Sequence, residues 1–204
     1  MLKARIAVLV SGGGTNLQAL LDAQQDGKLQ SGEISLVVSN KPGVYALERA
    51  EKASVESVVL NKKELGQSLF EQQLIALFKE KNIDLIVLAG FLCILSEDFV
   101  ARYPRRIINI HPSLIPAFCG DGYYGLRVHE EALKRGVKIT GATVHFVNEI
   151  TDGGEIILQK AVAVPDQIDA PGLQKLVMEE AEWIILPQAV EQVSKEIISG
   201  RVNS

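Results

Sequence analysis

Cysteine is scarce: the 204 residues hold two, Cys93 and Cys119, and no C-x-x-C pair. That excludes a zinc knuckle, a thioredoxin-type motif and a disulfide scaffold. Long apolar runs are also missing. The longest hold only about five residues, far short of the ~20 that a spanning helix needs. Positive charge is not in excess, since 21 Lys and Arg face 25 Asp and Glu, for a net charge of −4. General nucleic-acid binding, driven by phosphate neutralisation, is therefore a poor reading, although a local basic site is not excluded. Near the start, Lys3 and Arg5 precede Ile6–Val10, which runs straight into a glycine turn with no small-residue cleavage site. That is not a signal-peptide pattern, and a reducing cytoplasmic home is expected. No repeat, low-complexity tract or Pro/Ser linker breaks the chain, so residues 1–204 read as one domain. What is present is ordinary: 47% apolar and 23% charged residues, enough for a packed core without disulfides or metal.

The first half alternates strand and helix. Residues 6–10, 34–38, 55–60 and 83–89 are short apolar runs, as expected of strands buried on both faces. Helical patterns lie between them. Leu17, Leu20 and Leu21 form a stripe after Thr15, a candidate cap. Residues 44–52 read as a second helix. Residues 64–81 read as a third, with Leu65, Leu69, Leu74, Leu77 and Phe78 on one side. Such units predict a parallel sheet covered on both faces. The second half differs. A strand over 106–110 enters His111-Pro112-Ser113, residues 121–125 read as a loop, and 128–135 as a helix. Strands over 138–147 and 155–164 join through Asp152-Gly153-Gly154, which requires antiparallel pairing. A helix over 171–199, bent at Pro187, closes the chain. The fold class is thus α/β: a mostly parallel, doubly wound sheet with an antiparallel C-terminal strand pair and a long closing helix.

Ligands of open α/β sheets bind beyond the carboxyl ends of the strands. Three polar clusters fall there: residues 11–16, 90–95 and 109–113. The first, Ser-Gly-Gly-Gly-Thr-Asn, reads either as a tight turn or as an amide cradle for a phosphate at a helix start. It lacks the Gly-Lys-Ser/Thr end of a Walker A loop. It also lacks the third glycine of a dinucleotide fingerprint, because Leu17 stands there, and the next strand ends in Ser39-Asn40 rather than an acid. A monophosphate fits better than NAD. In the third cluster, strand alternation puts Asn109 and His111 on one side, where an amide and an imidazole together can hold and polarise a carbonyl. A histidine beside proline can equally be a hydrogen-bonded structural group. Asp152 reads as a turn aspartate, or as a carboxylate that reaches His111 and favours imidazolium. His129 on a helix and His145 in a strand match no metal spacing, and no metal is expected. Ser113 lacks a nucleophile elbow. Cys93 and Cys119 have no evident cation beside them and read as inert thiols.

Five segments occur in order: SGGGTN, VVSNKPG, LAGFLCILS, INIHPSLIPAF and ATVHFVNEITDGGEII. Together they resemble the folate-dependent formyltransferase family over roughly residues 4–190. N-x-H-P-S-L with a downstream D-G-G is the superfamily's mark, and S-G-x-G-[ST]-N points to the branch that acts on glycinamide ribonucleotide in purine synthesis. The resemblance implies formyl transfer from 10-formyltetrahydrofolate, as co-substrate, to the primary amine of that ribonucleotide. It implies that Asn109, His111 and Asp152 are catalytic. It implies that Gly13, Gly14, Thr15 and Asn16 hold the substrate phosphate and that Glu182 holds the ribose hydroxyls. It assigns folate contacts to Gln67, Leu92, Cys93, Ile94, Leu95, Asn109, Ile150, Thr151 and Asp152. Two positions depart from the family: Cys93 and Gln67 stand where many members carry Arg. The implied partners are small molecules only, with neither nucleic acid nor membrane, and the chain is expected as a monomer or weak homodimer. The competing readings are a hydrolase on the same core, with water in place of the amine, and a nucleotide-binding module without formyl chemistry.

Overall fold

The structure is a computed structural model that describes residues 2–202. Its strands are β1 (Ala4–Val10), β2 (Gly32–Ser39), β3 (Ser57–Val59), β4 (Leu85–Leu88), β5 (Ile107–His111), β6 (Ile139–Phe146) and β7 (Ile156–Ala163). They form one sheet in the order β3-β2-β1-β4-β5-β6-β7. β1 to β5 pair in parallel, whereas β5–β6 and β6–β7 are antiparallel. The expected mixed sheet is therefore present. The chain leaves β1 to one side for β2 and returns to its other side with β4, so the crevice of a doubly wound sheet opens where β1 and β4 end.

The reason the central strands are apolar throughout is visible in their alternation. Ala4, Ile6, Val8 and Val10 point into one core, with Leu17, Leu20, Ala46, Leu173, Leu186 and Val190. Ala7 and Leu9 point into the other, with Phe70, Leu74, Phe78 and Phe99. The first core lies under α1 (Thr15–Gln25), α2 (Tyr45–Lys52), α6 (Ala170–Val177) and α7 (Trp183–Val202). The second lies under α3 (Lys62–Glu80) and the five-residue α4 (Glu97–Ala101). At β5 and β6 one face carries the first apolar core through Ile108, Ile110, Ala142 and Val144, while the other joins the second core only at Ile107. The other face presents Asn109, His111, Thr143 and His145. It is covered by the irregular segment 112–125, which precedes α5 (Leu126–Arg135), and by the turn before β7.

Several local expectations are corrected. The strand expected over 55–60 shrinks to β3, because the Val55 amide bonds back to the Ala50 carbonyl and ends α2, with Ser54 left-handed at φ 56°. Thr15 does not cap α1. Gly14 holds the cap position and no side chain bonds there. α3 starts at Lys62, capped by the Asn61 side chain, but Gly66 interrupts its first turns at φ 73°. The closing helix is irregular earlier than Pro187. A π-helical turn, Met178–Glu182, separates α6 from α7. Pro187 lacks the amide that would bond the Trp183 carbonyl, so the gap it leaves in the helical bonding lies inside α7, after the π turn.

Candidate active site

Three parallel strands deliver their carboxyl ends to one edge: β1 to residues 11–16, β4 to 90–95 and β5 to His111. The predicted trio meets there. His111 is 4% exposed, with Nδ1 3.4 Å from Asp152 Oδ2 and Nε2 2.8 Å from the Phe118 carbonyl oxygen. Asp152 accepts from the Gly120 amide at 2.9 Å, a contact 32 residues away rather than within its own turn. It sits left-handed at φ 55°, a conformation aspartate tolerates, inside a turn that only small residues allow. A Cβ on Gly154 would lie 1.7 Å from the Phe146 carbonyl oxygen, so the chain can fold back this tightly only with glycine there.

His145 belongs to the same cluster and was read from the sequence only as a strand residue. It pairs opposite Asn109 in the β5–β6 register. Its Nε2 lies 3.1 Å from Asn109 Nδ2 and 3.6 Å from Asp152 Oδ1. Alternation along β6 puts His145 on one face with Thr143, but its place opposite Asn109 comes from the β5–β6 register, which the Asp-Gly-Gly turn between β6 and β7 does not set. The Phe118 carbonyl and Gly120 amide were also missed, since main-chain groups leave no mark in a sequence.

Burial is the main influence on His111 and pushes its pKa below the ordinary histidine value. The Asp152 charge and the Phe118 carbonyl oppose this without reversing it, and His145 adds to it. The expectation that Asp152 carries the ring to imidazolium is therefore corrected: in the free protein the ring leans neutral. Both ring nitrogens face acceptors, so the neutral ring leaves one lone pair against an acceptor, and the protonated ring satisfies both. For Asp152 burial pushes upward, but His145, the His111 charge and the Gly120 amide outweigh it and hold the carboxyl below its usual range.

The Gly-rich loop is an amide cradle by geometry. Gly14 at φ 72° starts α1, and the first-turn amides have no intrahelical acceptor. A Cβ on Gly14 would sit 2.7 Å from Ala46 Cβ. Arg49 borders the loop, with Nε on the Gly13 carbonyl at 2.8 Å and its guanidinium 4.8 Å from the Tyr45 ring centroid. Asn16 donates to Glu182 Oε2 at 2.6 Å. Glu182 is 6% exposed within the π turn, and burial, partly opposed by Asn16, raises its pKa to about 7. A groove of about 900 Å³ between α1 and α7 includes Thr15 and Arg49 but none of Asn109, His111 and Asp152.

The second predicted flank is residues 92–95. Leu92 and Ile94 are exposed, and the Leu92 amide donates to Ser11 Oγ at 2.8 Å. Gln67 reaches the Ile94 carbonyl at 3.2 Å and the Glu71 carboxylate. Glu71 in turn accepts from the Ser96 amide and hydroxyl, both at 2.6 Å, and so ties this segment to α3. Cys93 has a cation nearby after all, Lys62. Burial still raises its pKa, and burial together with Asp152 raises that of Cys119, so neither thiol is activated. Ile150 is exposed, and Thr151 donates to Asp121 Oδ1 at 3.0 Å. The predicted site residues thus gather along one edge of the sheet.

Known proteins share this arrangement. A model of the formyl transferase family matches residues 4–190. Phosphoribosylglycinamide formyltransferase of Haemophilus influenzae is 42% identical over 161 residues, covering 78% of this chain and 73% of the relative. The human trifunctional purine biosynthetic protein adenosine-3 is 42% identical over 193 residues; the match covers 94% of this chain but only 18% of that relative. The crystal structure of glycinamide ribonucleotide transformylase 1 from Symbiobacterium toebii superposes with a TM-score of 0.88 at 37% identity, covering 95% and 89% of the two chains. A sheet, a set of strand-end residues and a family match that spans nearly the whole chain agree, and this chain belongs to the formyl transferase family.

Proposed function

We propose that residues 1–204 act as one catalytic domain that transfers the formyl group of 10-formyltetrahydrofolate to the primary amine of glycinamide ribonucleotide, a step of purine synthesis. The observation that carries this is the pairing of an Asn109–His111–Asp152 cluster with an uncapped phosphate cradle at neighbouring strand ends. A hydrolase has no use for the cradle or for the buried Glu182 beside it. Of the named relatives, one is a phosphoribosylglycinamide formyltransferase and another a purine biosynthetic protein, which supports this reading. All the groups come from one chain, so a monomer or weak homodimer suffices. Small soluble substrates suit a cytoplasmic setting, and among the described residues no helix is long and apolar enough to cross a membrane.

The ribonucleotide phosphate docks on the amides of residues 13–16, with Arg49 adding positive charge at the rim. Glu182 accepts from the ribose hydroxyls. The pterin of the donor lies along residues 92–95, with 150–152 on its other side, and Gln67 holds the Ile94 carbonyl in place for it. The amine nitrogen then attacks the formyl carbon. A carbon–nitrogen bond forms and the carbonyl electrons move to oxygen, where an Asn109 N–H donates to the oxyanion. Neutral His111 takes the proton lost by the amine, directly or through water, and becomes the imidazolium that Asp152 stabilises. The same proton passes to N10 of the folate as its bond to carbon breaks. No covalent enzyme intermediate and no metal are needed, and holding both substrates in one cleft supplies much of the rate.

The test mixes purified protein with 10-formyltetrahydrofolate and follows tetrahydrofolate release with and without glycinamide ribonucleotide. Release that requires the ribonucleotide is expected. Equal release without it would make the protein a hydrolase, and no release from folded protein would overturn formyl chemistry altogether.

A further inference from the structure

We infer that His145 is a positioning residue that fixes the side-chain amide of Asn109 with its N–H group, not its oxygen, available to the reacting centre. This rests on the formyl-transfer reading given above. His145 is buried, 1% exposed, on β6 directly opposite Asn109. Its Nδ1 lies 2.8 Å from the Phe146 carbonyl oxygen. That oxygen only accepts, so Nδ1 carries the hydrogen and, in the neutral ring, Nε2 is left as a lone pair. The lone pair meets Asn109 Nδ2 at 3.1 Å, whereas the nearest Asp152 oxygen is at 3.6 Å, too long for a hydrogen bond. One Asn109 N–H is therefore spent on His145, and turning the amide over would set its oxygen against the same lone pair.

The consequence is chemical. An asparagine amide has two faces of opposite polarity and ordinarily chooses between them by its neighbours. Only the N–H face stabilises an oxyanion. With one hydrogen of Nδ2 fixed on His145, the second is held in the same plane at a set angle, aimed before the substrate arrives. Pre-orientation of this kind is what makes such a donor effective in the transition state. Phe146 completes the device from the main chain, since its carbonyl sets the tautomer of His145 and the tautomer sets the amide.

The experiment has two arms. In wild-type protein labelled with nitrogen-15, imidazole spectra at neutral pH should show His145 as the Nδ1–H tautomer, with Nε2 unprotonated and an Asn109 amide proton hydrogen-bonded to it. A dominant Nε2–H tautomer would overturn the inference, whether or not the protein transfers formyl groups. In the kinetic arm, His145→Leu removes the acceptor and His145→Gln restores one. For the Leu variant kcat should fall ~10- to 100-fold with both KM values little changed, within the range seen when an oxyanion donor is lost. The Gln variant should recover most of it. In an Asn109→Ala background, His145→Leu should change kcat less than ~2-fold, because residues acting as a unit are not additive. A structural role alone would make the two losses add, and that result, or a fully active Leu variant, overturns the inference. Wild-type protein with no ribonucleotide-dependent transfer would instead sink the functional reading, leaving the tautomer to decide the geometry.

Discussion

At the scale of single residues, burial and charge compete in ways that sequence spacing does not reveal. His111 shows it most clearly. Its carboxylate neighbour favours the proton, yet desolvation wins. An NMR titration should therefore place the His111 pKa below the ordinary ~6.5. Asp152→Asn removes an influence that raises the pKa, so it should fall further. A value above that of free histidine in the wild type, or a rise in the variant, would refute this balance. The same substitution should cut turnover at least ~100-fold, the usual scale for losing a group that supports proton transfer. Glu182 gives the opposite sign in stability. Its folded pKa, about 7, stands above the ordinary 4.5, so the folded state holds a proton that the unfolded state has lost. Stability is then unaffected below about pH 4.5, declines as pH rises between the two values, and is lower by about 3 kcal/mol above them. Glu182→Gln avoids that cost. Its melting temperature relative to wild type should climb by about 5 °C or more between pH 5 and pH 8, measured by calorimetry. A difference that does not vary with pH would refute it. The same variant should raise the KM for the ribonucleotide.

At the scale of elements, the start of α1 combines two demands on one position. Gly14 needs a left-handed backbone and must pass close to Ala46. Gly14→Ala should cost about 1–3 kcal/mol from backbone strain, lower the thermal midpoint accordingly, and raise the ribonucleotide KM more than it lowers kcat. Unchanged ribonucleotide affinity in the folded variant would detach the loop from phosphate binding. The elements that were legible beforehand share a physical cause. β1, β2 and β4 are buried on both faces, so their apolar runs are continuous, and the Asp-Gly-Gly turn announces the hairpin. Other elements carry no such mark. Five-residue α4 is too short for a helical stripe and depends on Ser96 and Glu71 for its start. The π turn carries no mark either, since no residue type signals it. In the site, alternation alone placed Asn109 and His111 together. Asp152 was assigned through family resemblance, because its reach to His111 depends on two segments folding over the same face. His145 required a strand register, a property of a pair of strands that neither strand displays alone.

At the scale of the whole molecule, the last helix belongs to the core as much as the first strand does. Ile185, Leu186, Ala189, Val190, Val193 and Ile197 of α7 are all at most 6% exposed and pack on the sheet face that carries α1. Each large apolar side chain contributes about 1.5–3 kcal/mol by burial, and together they rival the ~5–15 kcal/mol by which such domains are stable. A chain ending at Glu182 should show no cooperative thermal transition by circular dichroism. A sharp transition would mean that the sheet and its remaining helices suffice. The groups around His111, by contrast, are set largely by main-chain atoms: the carbonyls of Phe118 and Phe146 and the amide of Gly120. Main-chain atoms are present whatever side chain a codon specifies. Inherited point changes at 118 can therefore alter the covering segment without removing the contact that orients His111, while a gain or loss of one residue there would shift the Phe118 carbonyl and the Gly120 amide together. The segment that covers this edge is tolerant of a changed side chain at 118 and vulnerable to a change in its own length.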